Sequence, residues 1–524
     1  MYDYVIVGAG SAGCVLAARL SEDPDVRVCV IEAGPVDSSD NIHIPAACAQ
    51  LFRTNLDWDY DTHIEPYCDG RRIYLPRGRV LGGTSSMNGM VYIRGGRERY
   101  DAWGQPGWGY DDLLPYFKRS EDNERGASEY HGVDGPLSVS DSRSRNVMAA
   151  AFVEAAIEAG YPANDDFNGP TEEGFGFYQV TQRDGRRCSS AVAYLHPSMS
   201  RPNLTVETDL QVHRVLMENG RAVGVVGSRL SEQIEIRAER EVILAAGAYN
   251  SPQLLQLSGI GPAGLLTALN IPVVLDQPLV GQNLQDHTHD FLIYTTSQPV
   301  SLLIAGQPEY VSEFVEHGRG PLTSNIPEAG GFVASMPGLA HPDLQFHAAP
   351  VMFVDGGLGV PTAHALSFGA DVIESKSRGS VLIASADPTT KPRILHNFFA
   401  EESDMDAAVA GLRLTMEIAS QQALKPYAEA LFNPPESDSD KDLRAHARHY
   451  SETAYHAAGS CAMGMVVDAD LKVMGVDGLR VVDASVMPTV FANPNGPTIA
   501  MAEKAADLIL GVPVLPAQTV ALAR

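Results

Sequence analysis

Tyr4-Val5-Ile6-Val7-Gly8-Ala9-Gly10-Ser11-Ala12-Gly13-Cys14-Val15-Leu16-Ala17-Ala18-Arg19-Leu20 is the stretch that decides the fold. Its apolar opening reads as a buried strand, the glycine run as a turn, and the alanine- and leucine-rich tail as a helix. Gly8 permits the tight turn, and Gly10 lets backbone N–H groups approach a pyrophosphate. Gly13 lets the helix pack closely on the strand, so that the positive helix end faces the diphosphate. Ser11 and Ala12 lie inside the same turn and count with the glycines as cofactor contacts. A second strand, Arg27-Val28-Cys29-Val30-Ile31, ends at Glu32, 19 residues after Gly13. A carboxylate there can accept hydrogen bonds from an adenosine ribose and disfavours a 2′-phosphate, with Ala33 beside it. The motif alone does not separate NAD from FAD. Its place at the extreme N-terminus, and the absence of a second G-x-G-x-x-G, point to FAD.

The rest of the composition narrows the class. The 524 residues suffice for two to four core units, and 44% hydrophobic with 20% charged residues describes a soluble globular chain. A formal net charge of −27 repels a nucleic-acid backbone or an anionic membrane surface. The six cysteines, Cys14, Cys29, Cys48, Cys68, Cys188 and Cys461, form no C-x-x-C and no close pairing with histidine, so neither a metal site nor a disulfide framework is indicated. They read as thiols of a cytoplasmic protein. With the first strand expected from about Asp3, no leader is expected ahead of it, and no run of about 18 apolar residues is available for a membrane span.

Three further segments carry a family resemblance. Gly78-Arg79-Val80-Leu81-Gly82-Gly83-Thr84-Ser85-Ser86-Met87-Asn88-Gly89-Met90 and Gly247-Ala248-Tyr249-Asn250-Ser251-Pro252-Gln253-Leu254-Leu255-Gln256-Leu257-Ser258-Gly259-Ile260-Gly261 resemble the two signatures of the glucose-methanol-choline (GMC) oxidoreductases. The third is the C-terminal block from His456 through Gly478-Leu479-Arg480-Val481-Val482-Asp483-Ala484 to Asn493-Pro494-Asn495-Gly496-Pro497-Thr498. The resemblance spans the chain and is nearest to the choline dehydrogenase and alcohol dehydrogenase branch. It implies a mixed α/β fold: a Rossmann-like FAD domain and a discontinuous substrate domain built on an antiparallel sheet. The implied FAD domain takes residues 1–146, 188–299 and 454–524, and the substrate domain 147–187 and 300–453. Within the latter, Ser403 precedes Met405, Val409, Leu412 and Met416 at helical spacing, which predicts a helix packed on a sheet.

The residues of each segment also have a physical reading. Glycines with Ser86 and Asn88 expose backbone donors near a flat ring and a diphosphate, so Arg79, Gly82, Gly83, Ser86, Asn88, Gly89, Met90 and Val91 are expected at FAD. Glu241 to Ala245 reads as a buried strand, and Ala246-Gly247 as a small-residue turn that can lie against the adenosine half. Pro497 suits a helix start, with Asn495 capping or preceding it. The positive end of that helix favours negative charge on the flavin pyrimidine. By resemblance, Asn495 and Thr498 contact the flavin, Asp483 and Ala484 neighbour the diphosphate, and Val212 meets the adenine.

Oxidation of an alcohol needs a base for the hydroxyl proton while hydride leaves to flavin N5, and a partner that holds the oxygen. The resemblance implies His456 as the base and Asn493 as the partner. Met87 stands where some relatives carry a histidine bonded to the flavin, so FAD is expected to be noncovalent. The small Ala454, two residues before the base, leans toward a dehydrogenase, with electrons passing to an acceptor or to O2. Trp58, Glu328 and Tyr455 are candidates for the substrate pocket. The alcohol, choline-like, aliphatic or aromatic, stays open, as does the oligomeric state. Other members of the fold cleave cyanohydrins as lyases or act as photodecarboxylases, and these are the alternative functions.

Overall fold

The computed structural model describes residues 1–520. The opening stretch forms the strand Tyr2–Val7, a turn and the helix Ser11–Leu20. Five strands pair in parallel in the order Leu204–Glu207, Val28–Ile31, Tyr2–Val7, the end of Glu232–Leu244, and Leu479–Val481. Every residue of Val28–Ile31 is buried, which is why this segment is a continuous apolar run with no polar alternation. The register aligns Glu207, Ile31, Val7, Leu244 and Val481, so Gly8, Glu32, Ala245 and Val482 all leave from one edge of the sheet. Carboxyl edges of such sheets, where strand order reverses about the first strand, are where nucleotides bind. Glu232–Leu244 belongs to two structures: its first half pairs antiparallel with Arg221–Arg229, which pairs in turn with Gln211–Glu218.

A second sheet is antiparallel, in the order Ala430–Leu431, Thr288–Thr295, Ala365–Val372, Leu344–Ala349, Ala329–Val333, Gly174–Phe177. Side chains alternate across its pleat. Leu344, Phe346 and Ala348 point to one face, into a core shared with the helices Glu402–Ala419 and Val147–Glu158, while Gln345 and His347 point to the other. Met405, Val409 and Leu412 are buried in that core and Met416 packs at its margin, as the helical spacing predicts. The helix starts at Glu402, so Ser403 lies in its first turn instead of ahead of it. Thr288–Thr295, which falls inside segment 188–299, is paired in the antiparallel sheet, and Glu452–Thr453 pairs with it.

The helix Asn495–Leu510 packs along Ser11–Leu20. Buried Glu503 joins the two, accepting from Arg19, Arg119 and Tyr194. All six cysteines are buried and unpaired. Among the described residues no helix is long and apolar enough to cross a membrane.

Candidate active site

A cavity of about 640 Å³ runs between the carboxyl edge of the parallel sheet and the face of the antiparallel sheet that carries Gln345 and His347. On the first side the wall is largely backbone. Gly8 has φ +100°, and a Cβ there would stand 2.5 Å from the Ala245 carbonyl oxygen. A Cβ on Gly13 would collide with the Gly8 carbonyl, and one on Gly83 would lie 2.7 Å from Gly10 Cα, so the two glycine-rich motifs cross in contact. Over Gly10 itself nothing lies closer than 3.8 Å, and over Gly247, at φ +84°, nothing lies within 4 Å. The backbone is thus packed tight from behind and open toward the cavity, the shape a diphosphate cradle requires.

Side chains hold this wall in place. Glu32 accepts the Ala9 N–H at 3.1 Å and the Gly34 N–H at 2.9 Å, and burial pushes its carboxyl up to about 7. Asp483 accepts the Gly247 N–H at 2.9 Å, the Ser251 hydroxyl at 2.5 Å and the Ser485 N–H at 2.8 Å, and burial raises it too. Asn495 is the first residue of its helix and does not cap it; its side-chain oxygen accepts the Ser11 hydroxyl at 2.8 Å, so no side chain caps that helix start beside the cavity.

The facing wall is made of side chains. His456 Nε2 lies 3.0 Å from Asn493 Nδ2, and Gln345 Nε2 donates to Asn493 Oδ1 at 2.8 Å. From Gln345 the contacts continue to His347 (3.5 Å between the Nε2 atoms), to Asp371 (3.3 Å from His347 Nδ1) and on to His289. Strand register explains the grouping, because Asp371 is directly opposite His289 on one neighbouring strand and Gln345 on the other. The ring of contacts then becomes aromatic. His289 meets Phe291 with ring centres 3.6 Å apart, and Phe291 meets Phe353 at 5.7 Å. Phe353 and Phe52 both approach Gly357, and Phe52 lies 6.5 Å from Tyr455, which precedes His456. A chamber closed on itself results, polar on one arc and aromatic on the other.

Two bulges in dihedral space aim the pair that faces this chamber. Tyr455 has φ +66° and Ala492 has φ +56°, left-handed values that L side chains rarely adopt, and each immediately precedes a member of the pair. Arg77 donates to the Tyr455 carbonyl at 2.9 Å and Thr453 Oγ1 accepts the Tyr455 N–H at 2.7 Å, holding the strained turn. Burial, with the neighbouring His287 ring second, keeps His456 well below the usual histidine range. Asp371 is held below the ordinary carboxylate range: burial opposes this, and His289 and His347 outweigh it.

The profile of the GMC oxidoreductase N-terminal region matches residues 2–289, and that of the C-terminal region matches residues 375–502. The chain is 44% identical to mitochondrial choline dehydrogenase of Homo sapiens over 98% of its own length and 90% of that protein. It is 42% identical to an alcohol dehydrogenase [acceptor] of Pseudomonas putida, over 97% and 96%. Among solved structures, pyridoxine 4-oxidase from Mesorbium loti superposes with a TM-score of 0.88 at 32% identity, covering 97% of this chain and 98% of that one. The chain belongs to the GMC oxidoreductase family. It is accordingly an FAD-dependent alcohol oxidoreductase.

In this GMC oxidoreductase most residues singled out from sequence line the one cavity: Gly8, Gly10, Ser11, Ala12, Glu32, Ala33, Gly83, Asn88, Gly89, Met90, Val91, Val212, Ala246, Gly247, Asp483, Ala484, Asn495, Thr498, Tyr455, His456 and Asn493. Gly13, Arg79, Gly82 and Ser86 stand behind it. Gly82, at φ +87°, donates to the Ala9 carbonyl at 2.8 Å, and Ser86 donates to the Leu81 carbonyl at 2.7 Å. Two pocket candidates are displaced. Trp58 lines the cavity but stacks on Tyr60 and under the Arg79 guanidinium, the group felt by Glu32, so it sits outside the ring of contacts around His456. Glu328 does not line the cavity, although the preceding Ile326 and Pro327 do: its buried carboxylate is used up by Ser324 Oγ (2.6 Å), Ser144 Oγ (2.7 Å) and the Asn146 N–H (2.7 Å).

Sequence reasoning passed over Asp286, His287, His289, Gln345, His347 and Asp371. The cluster Asp286-His287-Thr288-His289 and the polar alternation of Gln345 and His347 in an otherwise apolar strand are the signals that were available. Ligand atoms of His289, His347 and Asp371 lie within 4.8 Å of one another, a disposition able to hold a metal ion, although these groups already bond to each other.

Proposed function

We propose that this enzyme oxidises a primary alcohol to the aldehyde, with His456 taking the hydroxyl proton and Asn493 holding the oxygen. The observation that carries this reading is the His456–Asn493 pair on the cavity wall. Here Nε2 faces the chamber-side amide at 3.0 Å, and Gln345 fixes that amide from behind. Burial leaves the imidazole unprotonated at neutral pH, the form a general base must have. As the alcohol ionises, the Asn493 amide can follow the developing charge on its oxygen without reorganising, because its own acceptor is already engaged.

The glycine wall with Glu32, Asp483 and the start of Asn495–Leu510 would hold FAD, which supplies the hydride acceptor when bound. Met87, buried at the cavity surface, offers no ring nitrogen for a covalent link, which supports noncovalent binding. The electrons then pass to an acceptor or to O2. The aromatic arc of Phe52, Phe291, Phe353 and Tyr455 can receive either an apolar body or a quaternary ammonium head, and the choline dehydrogenase and alcohol dehydrogenase relatives support a small alcohol of one of these kinds.

Anaerobic mixing of the flavin-loaded enzyme with choline and with alkyl and aryl alcohols tests the reading. Bleaching of the flavin absorbance with stoichiometric aldehyde is expected for at least one class. Cyanide release from a cyanohydrin, or light-dependent CO2 from a fatty acid, without bleaching by any alcohol would replace it with a lyase or a decarboxylase. Acid precipitation should leave the yellow cofactor in the supernatant; colour retained in the pellet would contradict noncovalent binding.

A further inference from the structure

We propose that His287 is a positioning residue that fixes the tautomer of the base, accepting the Nδ1 proton of His456 so that Nε2 carries no proton and keeps its lone pair, which the Asn493 amide occupies here and the alcohol hydroxyl takes over on binding. This rests on the reading of His456 as the base. The two rings meet Nδ1 to Nδ1 at 3.0 Å, with centres 5.2 Å apart and planes at 79°. Two ring nitrogens in one hydrogen bond must be one donor and one acceptor. The direction is set at the far side of His456. Gln345 donates to Asn493 Oδ1, which turns the Asn493 Nδ2 donor toward His456 Nε2. A donor is met by a lone pair, so Nε2 carries no hydrogen, the proton is on Nδ1, and His287 Nδ1 accepts it. The remaining proton of His287 then sits on Nε2, buried without a hydrogen-bond partner on the side of the Val490 carbonyl.

The spacing of the two rings is built into the backbone. Asp286 Oδ1 accepts the main-chain N–H of His287 at 2.9 Å and that of His456 at 2.7 Å, and its Oδ2 accepts the Thr453 hydroxyl at 2.5 Å. One carboxylate therefore clamps the strand start that carries His287 to the turn that carries His456. The chemical choice of a neutral ring also matters. A carboxylate beside Nδ1 would stabilise the imidazolium and strengthen the base's hold on its proton. Burial holds His287 itself down to about 4, so it orients without adding charge. The other ionisable groups around His456 are Asp371, which favours protonation, His347 and Arg77, which oppose it, and Asp286, whose carboxylate holds the main-chain N–H of His456.

The experiment is anaerobic stopped-flow reduction across pH with flavin-loaded His287→Ala, His287→Asn, His287→Asp and His456→Ala, together with NMR of isotope-labelled histidine to read which ring nitrogen of His456 is protonated. His287→Ala should slow reduction by roughly 10- to 10²-fold, the usual cost of losing a group that orients a catalytic ring. His287→Asn, whose side-chain carbonyl can accept from Nδ1–H, should recover most of that loss. His287→Asp should move the acid limb of the rate upward by about one pH unit or more. The parent should show His456 protonated at Nδ1. An Nε2-protonated parent, a His287→Ala enzyme at the parental rate, or a slowed His287→Ala with an unmoved limb in His287→Asp each overturns the inference, the last marking a merely structural ring. If His287→Ala does not fold, the Asn and Asp variants decide alone. A His456→Ala enzyme at the parental rate would instead overturn the base assignment on which this rests.

Discussion

The two walls of the cavity are made of different material. The wall at the parallel sheet is backbone, packed so that added Cβ atoms on Gly8, Gly13 and Gly83 would strike main-chain atoms. The wall at the antiparallel sheet is side chain, with Gln345, His347, Asp371 and His289 presented by neighbouring strands. A backbone wall recognises what every dinucleotide shares, so it depends on sterics and tolerates almost no added atom. A side-chain wall chooses the chemistry, so a substitution there should alter rate and leave cofactor loading intact. Substitutions at five positions set these expectations against each other.

The largest effect belongs to the backbone wall. Gly13→Ala places a methyl against the Gly8 carbonyl and should abolish flavin loading, read as the ratio of flavin to protein absorbance. Gly10→Ala, with its nearest neighbour at 3.8 Å, should leave the fold intact and weaken loading through the ligand alone. Equal, full loading of both would break the comparison.

Next comes His456→Ala, which should keep FAD and lose roughly 10²- to 10⁴-fold in flavin reduction, the range for a positioned general base. Because burial holds His456 below 6.5, the parent rate should stay flat through neutral pH and fall only on the acid side of that value, as the base takes up a proton. A limb centred above 6.5 would contradict the buried neutral ring.

Asn493→Ala should cost less, roughly 10- to 10³-fold, since one hydrogen bond to an oxygen gaining charge is lost while the base remains. Asn493→His should retain more activity than Ala because imidazole can also donate. Parental rates of reduction in both would reduce Asn493 to a loop residue beside Pro494.

The smallest catalytic effect is expected at Glu328, which belongs to neither wall. Glu328→Gln turns an amide N–H₂ toward donors and should destabilise the fold by about 1–3 kcal/mol in denaturant titration, with alcohol oxidation nearly unchanged. A selective loss of turnover at unchanged stability would return Glu328 to the substrate pocket.

How much was legible differs between the walls for the same reason. Gly8 to Gly13, Glu32 and Gly82-Gly83 were legible because what places them at or behind the cavity wall is local, a turn, a strand end, a φ that only glycine takes easily, whereas Asp483 came with the family resemblance. The structural engagement of Glu328 was not legible, because an isolated carboxylate in sequence carries no sign of Ser324 nearby or of Ser144 and Asn146, which arrive from a distant segment to satisfy it. Trp58 lines the cavity but stacks on Tyr60 with the Arg79 guanidinium over its ring, contacts that its place in the sequence does not announce.

By itself the sequence determined the parallel sheet and the edge at which a dinucleotide can bind, because glycine spacing and strand ends are properties of consecutive residues; His456 and Asn493 came only with the family resemblance, and their roles are a proposal. Only the tertiary structure decided what surrounds His456. His287, Gln345, His347, Asp371 and His289 lie up to 169 positions from it along the chain and are brought there by the register of an antiparallel sheet. Which proton a ring nitrogen carries depends on a chain of donors and acceptors across those strands, and no periodicity records that.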